Sequence, residues 1–111
     1  MQTTPSLPEI SPEALKQKLD ANESVLLLDV REQSEYDIVH LEDARLIPLN
    51  TLPQHVEGLP SDQEIVVYCH HGQRSLYAVA YLQQNGFNDA KNLIGGIDQW
   101  AIEIDSTLPR Y

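Results

Sequence analysis

Two short segments, Val25-Leu26-Leu27-Leu28 and Ile65-Val66-Val67-Tyr68, are apolar at every position. A strand without polar alternation must be covered on both faces, so these segments call for a sheet held between two layers of helices. The remaining chain supplies such helices. Ser11-Pro12-Glu13 combines an N-cap residue, a proline at the first helical position and an acid in the first turn, and Leu15 and Leu19 follow on one face. Glu32 to Ile38 predicts a short helix. Ser75 to Asn85 predicts a longer one, with Gly86 placed to end it. Gly95-Gly96 opens a last helix carrying Trp100, which reads as a core or pocket-wall aromatic. Arg45-Leu46-Ile47 and Asn92-Leu93-Ile94 read as further short strands. One helical turn around Leu52 to Val56 breaks the loop between Pro48 and the central run. Alternation of this kind predicts a single α/β domain with three layers, α/β/α, around a mostly parallel sheet of roughly five strands. Residues 1–8, polar and with two prolines, read as a disordered lead-in, and residues 9–111 as the domain.

Charge narrows the partners. Seven Lys+Arg against 17 Asp+Glu leave a net charge of −10, which argues against nucleic acid or an anionic membrane, because both need a basic surface. The longest apolar run, Leu76 to Leu82, is far shorter than the roughly 20 residues that span a bilayer. Met1 to Pro8 has neither the basic nor the apolar region of a signal peptide. The single cysteine excludes an intrachain disulfide and a multi-cysteine zinc site, and a lone thiol suits a reducing compartment. The expected location is the cytoplasm.

The chemistry concentrates in Tyr68-Cys69-His70-His71-Gly72-Gln73-Arg74-Ser75. Cys69 ends the clearest strand, a glycine-containing turn follows, and then the clearest helix begins. Ligands of open α/β sheets bind at that end of the strands, and the N–H groups of such a turn and helix start form an anion site. A cysteine ending a buried strand is by itself an ordinary small hydrophobe. The glycine turn, the permanent charge of Arg74 and the following helix move the reading toward covalent chemistry through a thiolate. His70 and His71 suggest metal binding, but consecutive residues in a tight loop rarely point at one ion, and a structural zinc needs four ligands. They are expected to shape the pocket mouth and add partial positive charge near neutral pH. Asp29 and Arg31, at the same end of the first long strand, are expected to form an ion pair or to bond the loop backbone, supporting the site rather than acting as a catalytic pair. Gly95-Gly96 lacks the lysine of a phosphate loop and reads as a turn at a helix start.

The motif Cys-x-x-Gly-x-Arg-Ser resembles the active-site loop of the rhodanese-like sulfurtransferases, and the resemblance runs through nearly the whole chain. Leu27-Leu28-Asp29-Val30-Arg31, then Glu35-Tyr36 and His40-Leu41, is similar to the family's first signature. Gly95-Gly96-Ile97-Asp98-Gln99-Trp100 is similar to its closing one, and Ile104-Asp105 to Tyr111 resembles the endings of single-domain members and of rhodanese domains fused to ubiquitin-activating-like enzymes. Val39 and Glu42-Asp43 stand where the family usually carries glycine and a Pro-Gly pair. The resemblance implies a thiosulfate sulfurtransferase with Cys69 as catalytic nucleophile and His70, His71, Gly72, Gln73, Arg74 and Ser75 around the transferred sulfur. It implies a small anionic donor such as thiosulfate, and cyanide, a thiol or a sulfur-carrier protein as acceptor, with neither metal nor organic cofactor. Four residues separate Cys69 from Arg74, one fewer than in the related phosphatase loops, so phosphatase or arsenate reductase chemistry stands behind sulfur transfer. A persulfide relay between a desulfurase and a biosynthetic partner is the other alternative.

Overall fold

A computed structural model describes residues 7–111. Its strands β1 (Glu9–Ile10), β2 (Val25–Asp29), β3 (Arg45–Leu46), β4 (Glu64–Tyr68) and β5 (Ala90–Leu93) form one sheet ordered β1-β5-β4-β2-β3, parallel at every pairing. The helices are α1 (Pro12–Asp20), α2 (Gln33–Ile38), α3 (Leu52–His55), α4 (Gln73–Gln84) and α5 (Gly96–Glu103). The two fully apolar runs pair side by side, from Val25 opposite Glu64 to Asp29 opposite Tyr68. Alternate side chains go to opposite faces. Leu28, Val30, Ile65, Val67 and Cys69 pack with Ala78, Val79 and Leu82 of α4. Leu27, Val66 and Tyr68 pack with Leu15 of α1 and with Ile97 and Trp100 of α5. The three-layer α/β/α architecture expected from the sequence is therefore the one observed, and it aims Cys69 at α4.

Local signals explain most element boundaries. The Ser11 hydroxyl accepts from the Ala14 N–H at 3.1 Å, capping α1 ahead of Pro12. At the far end of α4 the Phe87 N–H donates to the Leu82 carbonyl (3.0 Å) and the Gly86 N–H to that of Gln83 (3.4 Å). This is the Schellman pattern, with Gly86 at φ +91°. α4 begins two residues before Ser75, because Gly72 caps it in a left-handed conformation without a side-chain bond. β5 covers 90–93 rather than 92–94. The single turn expected near Leu52 is α3 flanked by 3-10 turns at Leu49–Thr51 and Val56–Gly58.

β1 has no sequence signature, since two residues at a sheet edge are too few to show a period. Residues 1–6 of the lead-in lie outside the described residues. Leu7 packs against the core, and the Pro8 carbonyl accepts from the Asn92 N–H at 2.9 Å. The turn after α2 is made without the family's glycine. Val39 is extended (φ −163°), which a β-branched residue adopts freely, and Asp43 takes the left-handed position at φ +66°. No helix among the described residues is long and apolar enough to cross a membrane.

Candidate active site

Cys69 leaves β4 almost fully buried, and its Sγ accepts from two backbone N–H groups, those of Gly72 (3.1 Å) and Ser75 (3.4 Å). Gly72 makes this possible. Its φ of +106° turns the chain from strand into α4 within three residues of the sulfur, a conformation that side chains strain. Ser75 lies in the first turn of α4, where N–H groups have no partner inside the helix and the dipole is positive. Among the described residues, the N–H groups of His70, His71, Gln73 and Arg74 donate to no protein acceptor. An anion at Sγ, or on an atom bonded to it, is thus met by amide donors rather than by carbonyls.

The loop carbonyls are held elsewhere, by α5. The Ile97 N–H donates to the Cys69 carbonyl (2.9 Å) and the Asp98 N–H to the His70 carbonyl (3.1 Å). In a trans peptide the C=O and the following N–H point opposite ways, so drawing these carbonyls toward α5 turns the next N–H groups away from it. The approach is close. A Cβ on Gly96 would lie 2.4 Å from the Cys69 carbonyl oxygen and 2.5 Å from that of His70. Gly95 and Gly96 both have positive φ, +74° and +63°. The pair expected only to start a helix therefore also lets that helix approach the cysteine loop closely enough to hold it. A second tie, missed in the sequence, is Asn92 on β5. Its Oδ1 accepts from the Ser75 hydroxyl (2.5 Å), and its Nδ2 donates to the Gly72 carbonyl (3.2 Å). The available signal was a polar residue in a strand whose neighbours are buried.

The charges differ from expectation at two places. Arg74 does not stand free at the rim, because its guanidinium makes a bidentate pair with Glu35 at 2.6 and 2.8 Å. At His70, burial first, and the neighbouring His71 next, lower the pKa below the ordinary histidine value, against the expected gain of positive charge. Its ring stacks between His71 and Tyr111, with centroids 4.0 and 3.9 Å away. His71 is exposed, 3.9 Å from Asp98, and Gln73 is exposed at the start of α4. Asp29 and Arg31 form the ion pair, at 2.6 Å and wholly buried. Arg31 also donates to the Val39 carbonyl (2.6 Å) and to the Tyr111 hydroxyl (2.8 Å), tying the turn after α2 and the last residue to the sheet.

Glu35 carries a pH signature. The hydrogen bonds from Arg74 hold its carboxyl at about 2 rather than 4.5. Because the folded value is the lower one, its stabilisation is complete above pH 4.5 and is lost as pH falls toward 2. Glu35→Gln should lower Tm by a few degrees at neutral pH, with the deficit against the parent shrinking between pH 4.5 and 2. A deficit constant across that range in thermal melts would remove the pair from the stability of the fold.

Known proteins share both the sequence pattern and the fold. The profile of the rhodanese-like domain matches residues 11–103. A sulfurtransferase of Allochromatium vinosum is 41% identical over 93 residues, covering 84% of this chain and 87% of that protein. A putative sulfur carrier protein of Bacillus subtilis is 40% identical over 95 residues, which are 86% of this chain but 51% of that longer protein. In structure, a rhodanese-like domain protein of Staphylococcus aureus matches with a TM-score of 0.81 at 32% identity, over 94% of this chain and 98% of that one. Agreement of this extent in both sequence and fold makes the chain a member of the rhodanese-like domain family.

Proposed function

We propose that the protein is a sulfurtransferase in which Cys69 carries a sulfane sulfur from a small anionic donor to a thiophilic acceptor. The observation that carries this reading is the convergence of the Gly72 and Ser75 N–H groups on Sγ. In the first half-reaction the Cys69 thiolate attacks the outer sulfur of thiosulfate. A new S–S bond forms at Sγ, the old one breaks, and sulfite leaves with its electron pair. The terminal sulfur of the persulfide is then available to the open amides of His70, His71, Gln73 and Arg74. In the second half-reaction an acceptor lone pair (from cyanide in an assay, or from a thiol) attacks that sulfur and returns the Cys69 thiolate. Atoms and charge balance without metal or organic cofactor, and the kinetics are ping-pong. The names of the Allochromatium and Bacillus relatives support sulfur transfer as the chemistry. A reducing cytoplasmic setting suits a lone functional thiol.

Intact mass after thiosulfate treatment and desalting tests the reading. A gain of about 32 Da, reversed by reductant, is expected. The sulfur-carrier relative favours a second reading, a relay loaded by a partner's persulfide. A gain from a small-molecule persulfide but not from thiosulfate selects the relay, and no gain from either overturns both. Loop size makes a further prediction. With four residues between Cys69 and Arg74, the amide ring suits one sulfur better than a phosphate with three oxygens, because donors act within about 3 Å. Thiosulfate:cyanide transfer should be measurable while aryl phosphate hydrolysis stays at background. Phosphatase turnover without sulfur transfer would reverse the assignment.

A further inference from the structure

Asn92 takes no part in the function just proposed, yet its buried amide is occupied at both ends. The bond from Nδ2 to the Gly72 carbonyl sets the orientation of that amide, since the reverse orientation would face two acceptors toward each other. Oδ1 can only accept, so the one proton of the Ser75 hydroxyl points at Asn92. Ser75 Oγ also lies 3.4 Å from Cys69 Sγ. With its proton turned to Asn92, Oγ can accept a hydrogen bond from the S–H of a thiol but offers only lone pairs to an anionic sulfur. Rotation about Cβ–Oγ delivers the same proton to the sulfur and leaves Asn92 Oδ1, buried, without a donor.

We propose that Asn92 is a positioning residue that competes with Cys69 for the Ser75 hydroxyl, which turns to Asn92 over a protonated sulfur and to Sγ over an anionic one. The inference rests on Cys69 being the sulfur-carrying group. No proton passes between residues in this rotation. The hydroxyl keeps its own, and that of the thiol leaves to solvent. By drawing the hydroxyl away, Asn92 keeps the anionic sulfur more basic than the loop would otherwise make it, and for thiolates greater basicity brings greater nucleophilicity. The charged and titratable groups around the sulfur are Arg74, held by Glu35, and His70 and His71, the latter facing Asp98. None of these side chains hydrogen-bonds Ser75 or Asn92.

The test is a double-mutant cycle read by the pH profile of alkylation, which reports on Cys69 alone because it is the only cysteine. Losing the bond from Nδ2 to Gly72 affects the loop whether or not residue 75 has a hydroxyl, so that effect cancels between backgrounds. Competition for the hydroxyl operates only where Ser75 is present. Asn92→Ala should therefore place the alkylation midpoint about half a pH unit lower, relative to its own background, with Ser75 than with Ser75→Ala. Ser75→Thr, which keeps the hydroxyl, should restore the difference. Equal shifts in both backgrounds overturn the proposal. Asn92→Leu, closer in volume, takes the place of Asn92→Ala if thermal melts show that the smaller residue unfolds the chain. Alkylation needs no sulfur donor, so this result is independent of the mass gain that tests sulfur transfer.

Discussion

Cys69→Ser should bring sulfur transfer to background and eliminate the mass gain with every donor. The substitution replaces one atom by a smaller one of the same valence, and the amides of Gly72 and Ser75 remain to bond it. What disappears is the proposed nucleophile, since a serine hydroxyl is almost wholly protonated at neutral pH and, among the described residues, no general base hydrogen-bonds this position. Stability should change little, by about 1 kcal/mol, because the site is buried but the volume change is small. Far-ultraviolet circular dichroism and a melt alongside the transfer assay separate the two effects. A sulfur adduct that persists in a folded Cys69→Ser protein would remove Cys69 from the mechanism.

Gly96→Ala should be nearly as damaging, although residue 96 has no reactive group. The added methyl would stand 2.4 and 2.5 Å from the carbonyl oxygens of Cys69 and His70, both backbone atoms that cannot swing aside. The left-handed conformation at φ +63° adds about 1–2 kcal/mol for any residue with a Cβ. With overpacking of similar size, the total is about 3 kcal/mol, or a fall in Tm of roughly 15 °C. Relief requires α5 to back away from the loop, which releases the bonds from Ile97 and Asp98 and lets the amides around Sγ reorient. Transfer should drop at least tenfold even at temperatures where the variant is fully folded. A variant that is destabilised but transfers sulfur at the parent rate would show that the loop keeps its shape without α5. Gly58→Ala is a suitable control, since a Cβ there meets nothing within 4 Å.

The parts of the fold legible in the sequence are those where one residue type has one reason to be present. β2 and β4 show themselves because strands covered on both faces are apolar throughout, and α1 because Ser11, Pro12 and Glu13 each favour a helix start. The start of α4 is not legible. Its cap is a backbone conformation at Gly72, and Ser75, a residue type that often caps helices, sits inside the first turn because it serves the sulfur instead. In the site, the loop around Cys69 is readable because sulfur, turn and helix are contiguous. The partners of Arg74, Ser75 and the loop carbonyls are not, because they come from residues 17 to 39 positions away. Arg74 illustrates the limit: its charge is evident from the sequence, but Glu35, which neutralises it, is distinguishable from the other acids only after folding.

The bonds from α5 to the cysteine loop also bear on when the thiol becomes competent. β4, Cys69 and α4 are complete by residue 84, whereas the amides that hold the Cys69 and His70 carbonyls belong to Ile97 and Asp98. During synthesis Cys69 therefore emerges before the residues that hold the carbonyls beside it. Without α5, nothing among the described residues holds those two carbonyls. A chain cut short after α4 is therefore expected to present Cys69 without the fixed amide surroundings of the folded domain.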